Sequence, residues 1–365
     1  MLLRVQSLIN MAKKFVSRAR FSVVRMLLVL GLVSGLAAAG WVCWHPGLHV
    51  TDGRHDRGQN GIWLQHGWLG DDDWFVRNQR TNQLHFRDEM ALNRLSGKLR
   101  LQNITDVFPH LCPCDHEGNL AGWDAAQTER FLDAFEGFRV MPWIGGVFRL
   151  HARPESDEWR AKFVANVRRL MEQHPRLAGI HLNIEPMPSG TEAFLHLLDE
   201  LRGSLPEGKV LSVAAYPPPT RWQPTLEVHW EEAYFRAVAG RCDQVAVMMY
   251  DTALGSPKLY RHLMRDWTRE VLAWSGATDV LLGVPAYDDA DTGYHDPRVE
   301  NLEHALAGIH AGLAVNGALP AGYQGVAIYS EWEMSAAEWR QWEAEFRSNE
   351  SATGQAREAV EGHNP

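Results

Sequence analysis

The sequence predicts an α/β protein, a (β/α)8 TIM barrel preceded by one N-terminal transmembrane or signal helix. Two observations predict this fold class. Short, almost continuously apolar runs alternate with amphipathic helical segments along residues 61–348, as expected for parallel strands that helices cover on both faces. Before them, residues 26–44 form a stretch without any charged side chain, about as long as a helix that crosses a bilayer.

Eight segments have the composition of buried strands and lie between turn-forming residues. They are residues 62–69, 104–111, 139–146, 178–186, 210–217, 244–251, 279–288 and 325–332. Helix signals fall between them: Ser189 and Ser335 each stand three residues before a glutamate, Glu192 and Glu338, which is the pattern of a capping box. Eight β/α units within residues 61–348 favour a single barrel over two domains.

The charge of the chain is unevenly distributed. Residues 1–45 carry six Lys or Arg and no acidic residue, which leaves 30 basic and 45 acidic residues for the remainder. An acidic body repels phosphate backbones, so we expect no nucleic-acid partner. Basic residues before an apolar helix stay in the cytoplasm, so we expect the acidic body on the other side of the membrane.

The predicted organisation follows from these patterns. It comprises a basic cytoplasmic segment (1–25), a signal anchor or transmembrane helix (26–44), a linker (45–60), the barrel (61–348) and a disordered tail (349–365). Two fates of the apolar helix remain open. The small residues of LAAAG, 36–40, suit signal-peptidase cleavage and secretion, whereas Trp41 and Trp44 suit an interfacial anchor that is retained. In both cases we expect the barrel to be periplasmic or extracellular.

The cysteines suggest neither a disulfide framework nor a metal centre. Cys112 and Cys114 are two residues apart, and Cys43 and Cys242 stand alone. Together with His110 and His116 the close pair could gather a metal, but the second ligand pair that is usual in zinc sites is absent from the sequence. We predict no metal and no cofactor.

Candidate functional residues lie at the ends of the predicted strands, where the chemistry of such barrels takes place. These strand-end residues are aromatic, acidic or amide-bearing: Trp68, Trp143, Asn183, Glu185, Tyr216, Tyr250, Asp251, Tyr287, Tyr329, Glu331 and Trp332. Aromatic rings stack on the apolar faces of sugars, and glycosidic cleavage needs a carboxylic acid to protonate the leaving oxygen. The sequence therefore predicts a carbohydrate cleft with a polysaccharide or oligosaccharide partner.

Polar residues alternate with apolar ones along AGIHLNIE, residues 178–185. Because alternate residues of a strand share a face, we expect His181, Asn183 and Glu185 to point the same way. We interpret His181 as a substrate-binding residue that relays hydrogen bonds to Glu185.

The same segment resembles the catalytic strand of chitinase-like glycoside hydrolases of family 18, whose usual form is D-G-x-D-x-D-x-E. VMMYD, 247–251, resembles the M-x-Y-D strand of that family, and LLGVPAYD, 281–288, resembles its LG(V/I)P-aromatic strand. The Gly-Gly pair at 145–146 and QGVAIYSEWE, 324–333, match the ends of its third and last strands. The order of these motifs is that of the family.

The resemblance implies a barrel that hydrolyses glycosidic bonds without an enzyme nucleophile, because the N-acetyl oxygen of the substrate attacks the anomeric carbon. By this resemblance Glu185 is the general acid/base, Tyr250 holds the acetamide oxygen and Asp251 is a hydrogen-bond partner of the sugar. Asn183 occupies the position that orients the acetamide.

The chain departs from the family pattern at all three aspartates, which read Ala178, His181 and Asn183 here. An amide at 183 can accept a hydrogen bond from the acetamide but carries no charge. We expect it to stabilise the developing cation by ~2–4 kcal/mol less than a carboxylate. Tyr329 also stands where the family usually has Trp.

Three functions remain open from sequence. The first is a glycoside hydrolase acting on an exported polysaccharide, by default an N-acetylhexosamine polymer of the peptidoglycan or chitin type. If its sugar has no acetamide, Asp251, Glu331 or Glu333 must supply the second carboxylate. The second is a non-catalytic carbohydrate-binding barrel. The third is an unrelated enzyme that uses His66 and His181 as a base or as metal ligands.

Overall fold

The computed structural model of the chain describes residues 25–221, 223–289, 292–314 and 318–348. The chain divides into two compact units, Met1–His45 and Pro46–Pro365. In the first unit Arg25–Cys43 form a helix, α1, that is long and apolar enough to cross a membrane. Except for Arg25, the predicted cytoplasmic segment lies outside the described residues, as does the predicted tail.

The second unit contains one parallel sheet of nine described strands, in the order β3-β2-β1-β9-β8-β7-β6-β5-β4. The strands are β1 (Asn60–Leu64), β2 (Ile104–Pro109), β3 (Arg139–Val140), β4 (Trp143–Val147), β5 (Gly179–Glu185), β6 (Val210–Ala215), β7 (Gln244–Met248), β8 (Asp279–Pro285) and β9 (Tyr323–Tyr329). Every predicted strand segment overlaps a strand, and the third overlaps two.

The third strand of the barrel is split because Pro142 interrupts it. Met141 donates its N–H to the Val107 carbonyl (3.0 Å), on β2, and the Pro142 carbonyl accepts from the His181 N–H (3.0 Å), on β5. Proline has no N–H and cannot continue the ladder. Through β3 and β4 the split strand still joins β2 to β5, so the sheet closes into the predicted (β/α)8 barrel.

Helices surround the sheet. They are α2 (Asp72–Arg77), α3 (Glu89–Leu101), α4 (Ala125–Ala134), α5 (Asp157–Gln173), α6 (Glu192–Ser204), α7 (Glu232–Ala239), α8 (Pro257–Trp274), α9 (Leu302–Leu313) and α10 (Ala336–Glu345), with a short 3-10 helix at Gln83–Arg87. The capping box predicted at Ser335 is confirmed. The one predicted at Ser189 is wrong, because α6 begins after Thr191, whose hydroxyl turns back to the Pro188 carbonyl (2.7 Å).

Residues 46–60, which we predicted to be a linker, are part of the barrel unit. The Leu48 N–H donates to the Ala307 carbonyl (2.9 Å), on α9. The Nδ1 atoms of His55 and His310 lie 2.8 Å apart, and both side chains are buried. The segment therefore packs on the helical layer before it enters β1 at Asn60.

An ion pair between a buried carboxylate and a partly exposed arginine lies in the layer of the barrel near the start of the strands. Asp106, on β2, is fully buried and accepts two hydrogen bonds from Arg139 (2.7 and 2.5 Å) and one from the Gln244 amide (2.7 Å). Arg139 begins β3 and Gln244 begins β7, so this cluster ties distant strands of the barrel together.

Candidate active site

Two adjoining cavities open at the carboxyl ends of the strands. The inner cavity, about 190 Å³, is lined by Trp63, Trp143, Asn183, Glu185, Met248, Tyr250, Asp251, Tyr287, Asp289, Thr292, Tyr294 and Tyr329. The outer cavity, about 450 Å³, is lined by Val147, Glu185, Pro186, Tyr216, Pro217, Val228, His229, Met248, Tyr250, Asp251 and Tyr294. Glu185 borders both cavities, so a chain of sugars bound across them would present a bond to its carboxyl group.

Glu185 is the last residue of β5 and is only partly exposed. Burial raises the pKa of its carboxyl to about 7; the hydrogen bond from Asn183 lowers the pKa in part, and the charge of Asp251 raises it further. A carboxyl with that pKa is protonated in a large fraction of molecules at neutral pH. It can therefore donate a proton to a leaving group, which an ordinary glutamate cannot do efficiently.

Asn183 faces the inner cavity and is 6 % exposed. Its Oδ1 atom is buried and has no hydrogen-bond partner among the described residues. A buried acceptor without a partner is destabilising, so its presence points to a donor supplied by a ligand. The N–H of an acetamide is such a donor.

Gly145 brings β4 close to the strand that carries Asn183. A Cβ at this position would lie 1.9 Å from the Asn183 carbonyl oxygen, and the φ of +125° disfavours any residue with a side chain. Glycine is therefore required for the close approach of the two strands. This is the physical basis of the Gly-Gly strand end in the sequence.

Aromatic rings form one wall of the inner cavity around Tyr329. The Tyr329 ring stacks on Tyr250 with centroids 5.6 Å apart, and Tyr287 and Trp143 meet it edge-on at 5.3 and 6.2 Å. Burial raises the pKa of Tyr250 well above its usual value. Its hydroxyl therefore stays protonated and can donate a hydrogen bond to a ligand.

Asp251 follows β7 in the left-handed conformation, with φ of 61°. Its carboxylate accepts a hydrogen bond from the Tyr287 hydroxyl. The buried side chains of His295 and Glu300 lie behind it. No motif pointed to these two residues, because they follow β8 in an irregular segment.

Two predicted substrate-binding residues lie in the core instead. Trp68 is 3 % exposed and packs on Phe86 and Phe131, because β1 ends at Leu64 and the chain then turns inward. His181 is fully buried: Nε2 accepts from the Trp63 indole (3.1 Å), and Nδ1 lies 2.8 Å from the Ser212 hydroxyl. His181 is absent from the linings of both cavities and does not bind Glu185. The prediction that it relays hydrogen bonds to Glu185 and the hypothesis that it binds a metal are therefore wrong.

The last strand end also differs from expectation. Glu331 lies 3.7 Å from the Lys98 ammonium group and is absent from the linings of both cavities. Burial raises the pKa of Glu331, and Lys98 lowers it in part. Trp332, predicted to bind substrate, is also absent from both linings and packs edge-on against Tyr329, with ring centroids 5.7 Å apart. Trp143, Tyr216, Tyr287 and Tyr329 do line the cavities, as predicted.

The polar groups around His110 that could gather a metal have other contacts. The His110 ring packs at a tilt against His66 and Trp143, with centroids 3.6 and 3.9 Å away, and His66 Nδ1 lies 2.5 Å from Asp71. Cys112 donates to the Trp143 carbonyl (3.3 Å). Within the described part of the chain, no group of three or more His, Cys, Asp and Glu side chains is arranged to hold a metal ion.

No protein-family model and no curated protein matches the chain. Solved structures do. A chitinase from Chromobacterium violaceum is 16% identical with a TM-score of 0.54, covering 78% of this chain and 98% of its own. The spore cortex-lytic enzyme SleL of Bacillus cereus is 11% identical with a TM-score of 0.51, covering 80% and 75%. A chitinase from Rhizomucor miehei is 15% identical with a TM-score of 0.50, covering 78% and 99%.

At these identities the likeness concerns the fold. The chain has a divergent barrel of the chitinase-like type, and the resemblance noted in its sequence is confirmed at that level.

Proposed function

We propose that this protein is a glycoside hydrolase that cleaves an exported polysaccharide containing N-acetylhexosamine, of the peptidoglycan or chitin type, with Glu185 as general acid/base. The observation that carries the proposal is the state of Glu185: a carboxyl at the junction of two cavities, with a pKa raised to about 7 by burial. The chitinase and cortex-lytic activities named for the structural neighbours support the same class of reaction.

The residues of the inner cavity suit a substrate-assisted mechanism. The orphan Oδ1 of Asn183 would accept the acetamide N–H, and the Tyr250 hydroxyl would hold the acetamide oxygen for attack on the anomeric carbon. Glu185 would protonate the leaving oxygen on the side of the outer cavity as the acetamide oxygen bonds to the anomeric carbon, which leaves an oxazolinium ion that keeps its N–H. As a carboxylate, Glu185 would then take a proton from the water that attacks the anomeric carbon and opens this ion.

The missing charge at 183 is the weak point of this mechanism. Asp251 lines both cavities beside Glu185 and is the best-placed carboxylate to balance the developing positive charge. For a sugar without an acetamide, Asp251 would instead be the second carboxylate. Glu331, paired with Lys98, and Glu333, exposed and accepting from the Asp288 N–H (3.3 Å), are less suited to that role.

The second candidate function is a carbohydrate-binding barrel without turnover. The observation that favours it is the loss of all three motif aspartates, at Ala178, His181 and Asn183. Its aromatic cavities would bind glycan, and the raised pKa of Glu185 would be a by-product of burial.

Glu185→Gln distinguishes the two functions. Peptidoglycan, chitin oligomers and unacetylated polysaccharides are offered to the wild type and the variant, and released products are measured. For a hydrolase we expect the variant to lose about 10²–10⁴-fold in rate while it still binds the glycan. Cleavage of unacetylated sugars alone would exclude the substrate-assisted route. Equal glycan binding by both proteins with no product from any substrate would establish the non-catalytic function.

We also propose that α1 places the barrel outside the cytoplasm, either as a retained anchor or as a signal that is cleaved. The apolar helix Arg25–Cys43 and the basic residues before it support this proposal. Protease added to intact cells or spheroplasts should digest the barrel; protection until the membrane is broken would contradict it. The N-terminal sequence of the mature protein decides between anchor and cleaved signal.

A further inference from the structure

A buried histidine lies directly behind Asp251. The His295 side chain has no exposed surface, and its Nδ1 atom lies 3.4 Å from Asp251 Oδ1 and 3.9 Å from Glu300 Oε2. No hydrogen-bond partner is within bonding geometry of this Nδ1 among the described residues. The ring itself is fixed, because it stacks on Tyr287 with centroids 4.1 Å apart.

The other ring nitrogen determines what Nδ1 can do. His295 Nε2 lies 3.2 Å from the Tyr287 carbonyl oxygen. A carbonyl oxygen only accepts hydrogen bonds, so Nε2 carries a proton. Because a neutral imidazole has one N–H, Nδ1 bears a hydrogen only when the ring is doubly protonated.

Glu300 favours that doubly protonated form. It is fully buried and accepts from the Thr252 N–H (3.0 and 2.9 Å) and the Thr252 hydroxyl (2.9 Å). Burial by itself lowers the pKa of His295, but the interactions with Asp251 and Glu300 outweigh it and raise the pKa above the usual value. Burial also raises the pKa of Glu300, whereas the hydrogen bonds from Thr252 and the charge of His295 lower it in part.

The surroundings add few other charges. Asp296, next in sequence, is bound to Arg298, and the Tyr260 hydroxyl, on α8, donates to the Met249 carbonyl (3.0 Å). The charge on His295 is therefore governed by Asp251 and Glu300.

We propose that His295 is a positioning residue for Asp251: as an imidazolium it donates Nδ1–H to the Asp251 carboxylate, and Glu300 behind it maintains that form. This inference rests on the proposed hydrolysis and deepens it, because it concerns the carboxylate that remains where Asn183 has replaced a charged residue. With Asp251 and Glu300 ionised and His295 protonated, the trio keeps one net negative charge facing the inner cavity. The donor orients Asp251 without cancelling that charge.

Two substitutions of His295 distinguish the effect of its hydrogen-bond donor from the effect of its aromatic ring. His295→Phe keeps the stacking on Tyr287 and removes the donor, whereas His295→Asn places an amide N–H near the position of Nδ1 that does not titrate. We expect His295→Phe to lower kcat/KM about ten- to hundredfold, the effect of a hydrogen bond to a charged group. We expect His295→Asn to restore most of that loss. Equal losses in the two variants would overturn the proposal.

The protonation state is measured directly by 15N NMR of the imidazoles in the full chain, with the His295 signals assigned by their loss in His295→Phe. We expect Nδ1 to be protonated near neutral pH and Glu300→Gln to move the titration midpoint down by about one pH unit or more. A midpoint that Glu300→Gln leaves unchanged would contradict the proposal. This measurement needs no turnover, so it decides the inference even if Glu185 proves non-catalytic. If His295→Phe does not fold, the loss of the same signals in His295→Asn supplies the assignment.

A matched control exists at the opposite end of the barrel. His174, after α5, is equally buried and lies 2.6 Å from Glu129 Oε1. We expect His174→Phe to change the thermal stability without changing kcat/KM, whereas an equal loss of activity there would show that removal of any buried histidine beside a carboxylate has this effect.

Discussion

Two carboxyl groups inside the barrel have opposite surroundings. Asp106 is fully buried near the start of the strands and is bound by Arg139 and Gln244. Glu185 lies at the far end, and its neighbours are the Asn183 amide and a second carboxylate, Asp251. The first carboxylate stabilises the fold through its partners. The second is held in a state that disfavours its charge, which costs stability and makes it available as an acid.

The largest expected effect concerns Asp106. Asp106→Asn removes a fully buried carboxylate that accepts two hydrogen bonds from the partly exposed Arg139 and one from Gln244. Because these donors lose a charged acceptor, we expect a loss of about 3 kcal/mol in the free energy of unfolding. Urea denaturation of the full chain in detergent measures it. Asp157→Asn removes an exposed carboxylate from Arg160, which keeps its second partner, Glu200; it is the control and should cost less than about 1 kcal/mol. Similar losses of stability in the two variants would contradict the special contribution of the Asp106 carboxylate to the fold.

Gly145→Ala should cost stability at the carboxyl ends of the strands as well. The added methyl group would lie 1.9 Å from the Asn183 carbonyl oxygen, so β4 must move away from β5. We expect a loss of about 2 kcal/mol, together with a lower kcat/KM because Asn183 shifts. Gly203→Ala, near the end of α6 with open space around it, is the matched control and should be neutral or slightly stabilising. An active, stable Gly145→Ala would contradict the requirement for close approach.

Glu185→Gln is expected to stabilise the protein in a pH-dependent way. The folded-state pKa of Glu185 is raised to about 7, so the folded state binds this proton more tightly than the unfolded state. Its stability therefore falls as pH rises from about 4.5 through 7. We expect the variant to match the wild type at pH 5 and to exceed it by about 1 kcal/mol at pH 8.5, since the carboxyl is partly exposed. A gain of the same size at both pH values would indicate a cause other than ionisation.

The sequence predicted the strands well because their apolar runs are short and separated by clear turns. It placed the first strand too far along, since Trp68 is as apolar as a strand residue although it fills the core after Leu64. Apolar content alone does not distinguish a strand from a buried turn.

For the site, the alternation of polar and apolar residues correctly grouped Asn183 with Glu185. It could not predict how far inside the barrel each side chain of the strand lies. His181 shares their strand and lies one step deeper, where Trp63 and Ser212 bind it. Tyr250, Asp251 and Tyr287 follow strands directly, so the position of strand ends predicted their place at the cavity. His295 and Glu300 could not be predicted in the same way, because only the path of the segment after β8 brings them to Asp251.

The split in the third strand has a consequence for how the barrel opens. β2 pairs with β3 at two residues, and the segment after β2 is joined to β4 by a single bridge, His110–Trp143, whereas β4 pairs with β5 at five residues. A local opening at this seam would separate β4 from β2 more easily than from β5. Trp143 and Gly145 would then move together with Asn183 and Glu185. The cavity wall and the carboxyl group beside it would therefore remain one cooperative unit even when the barrel opens locally.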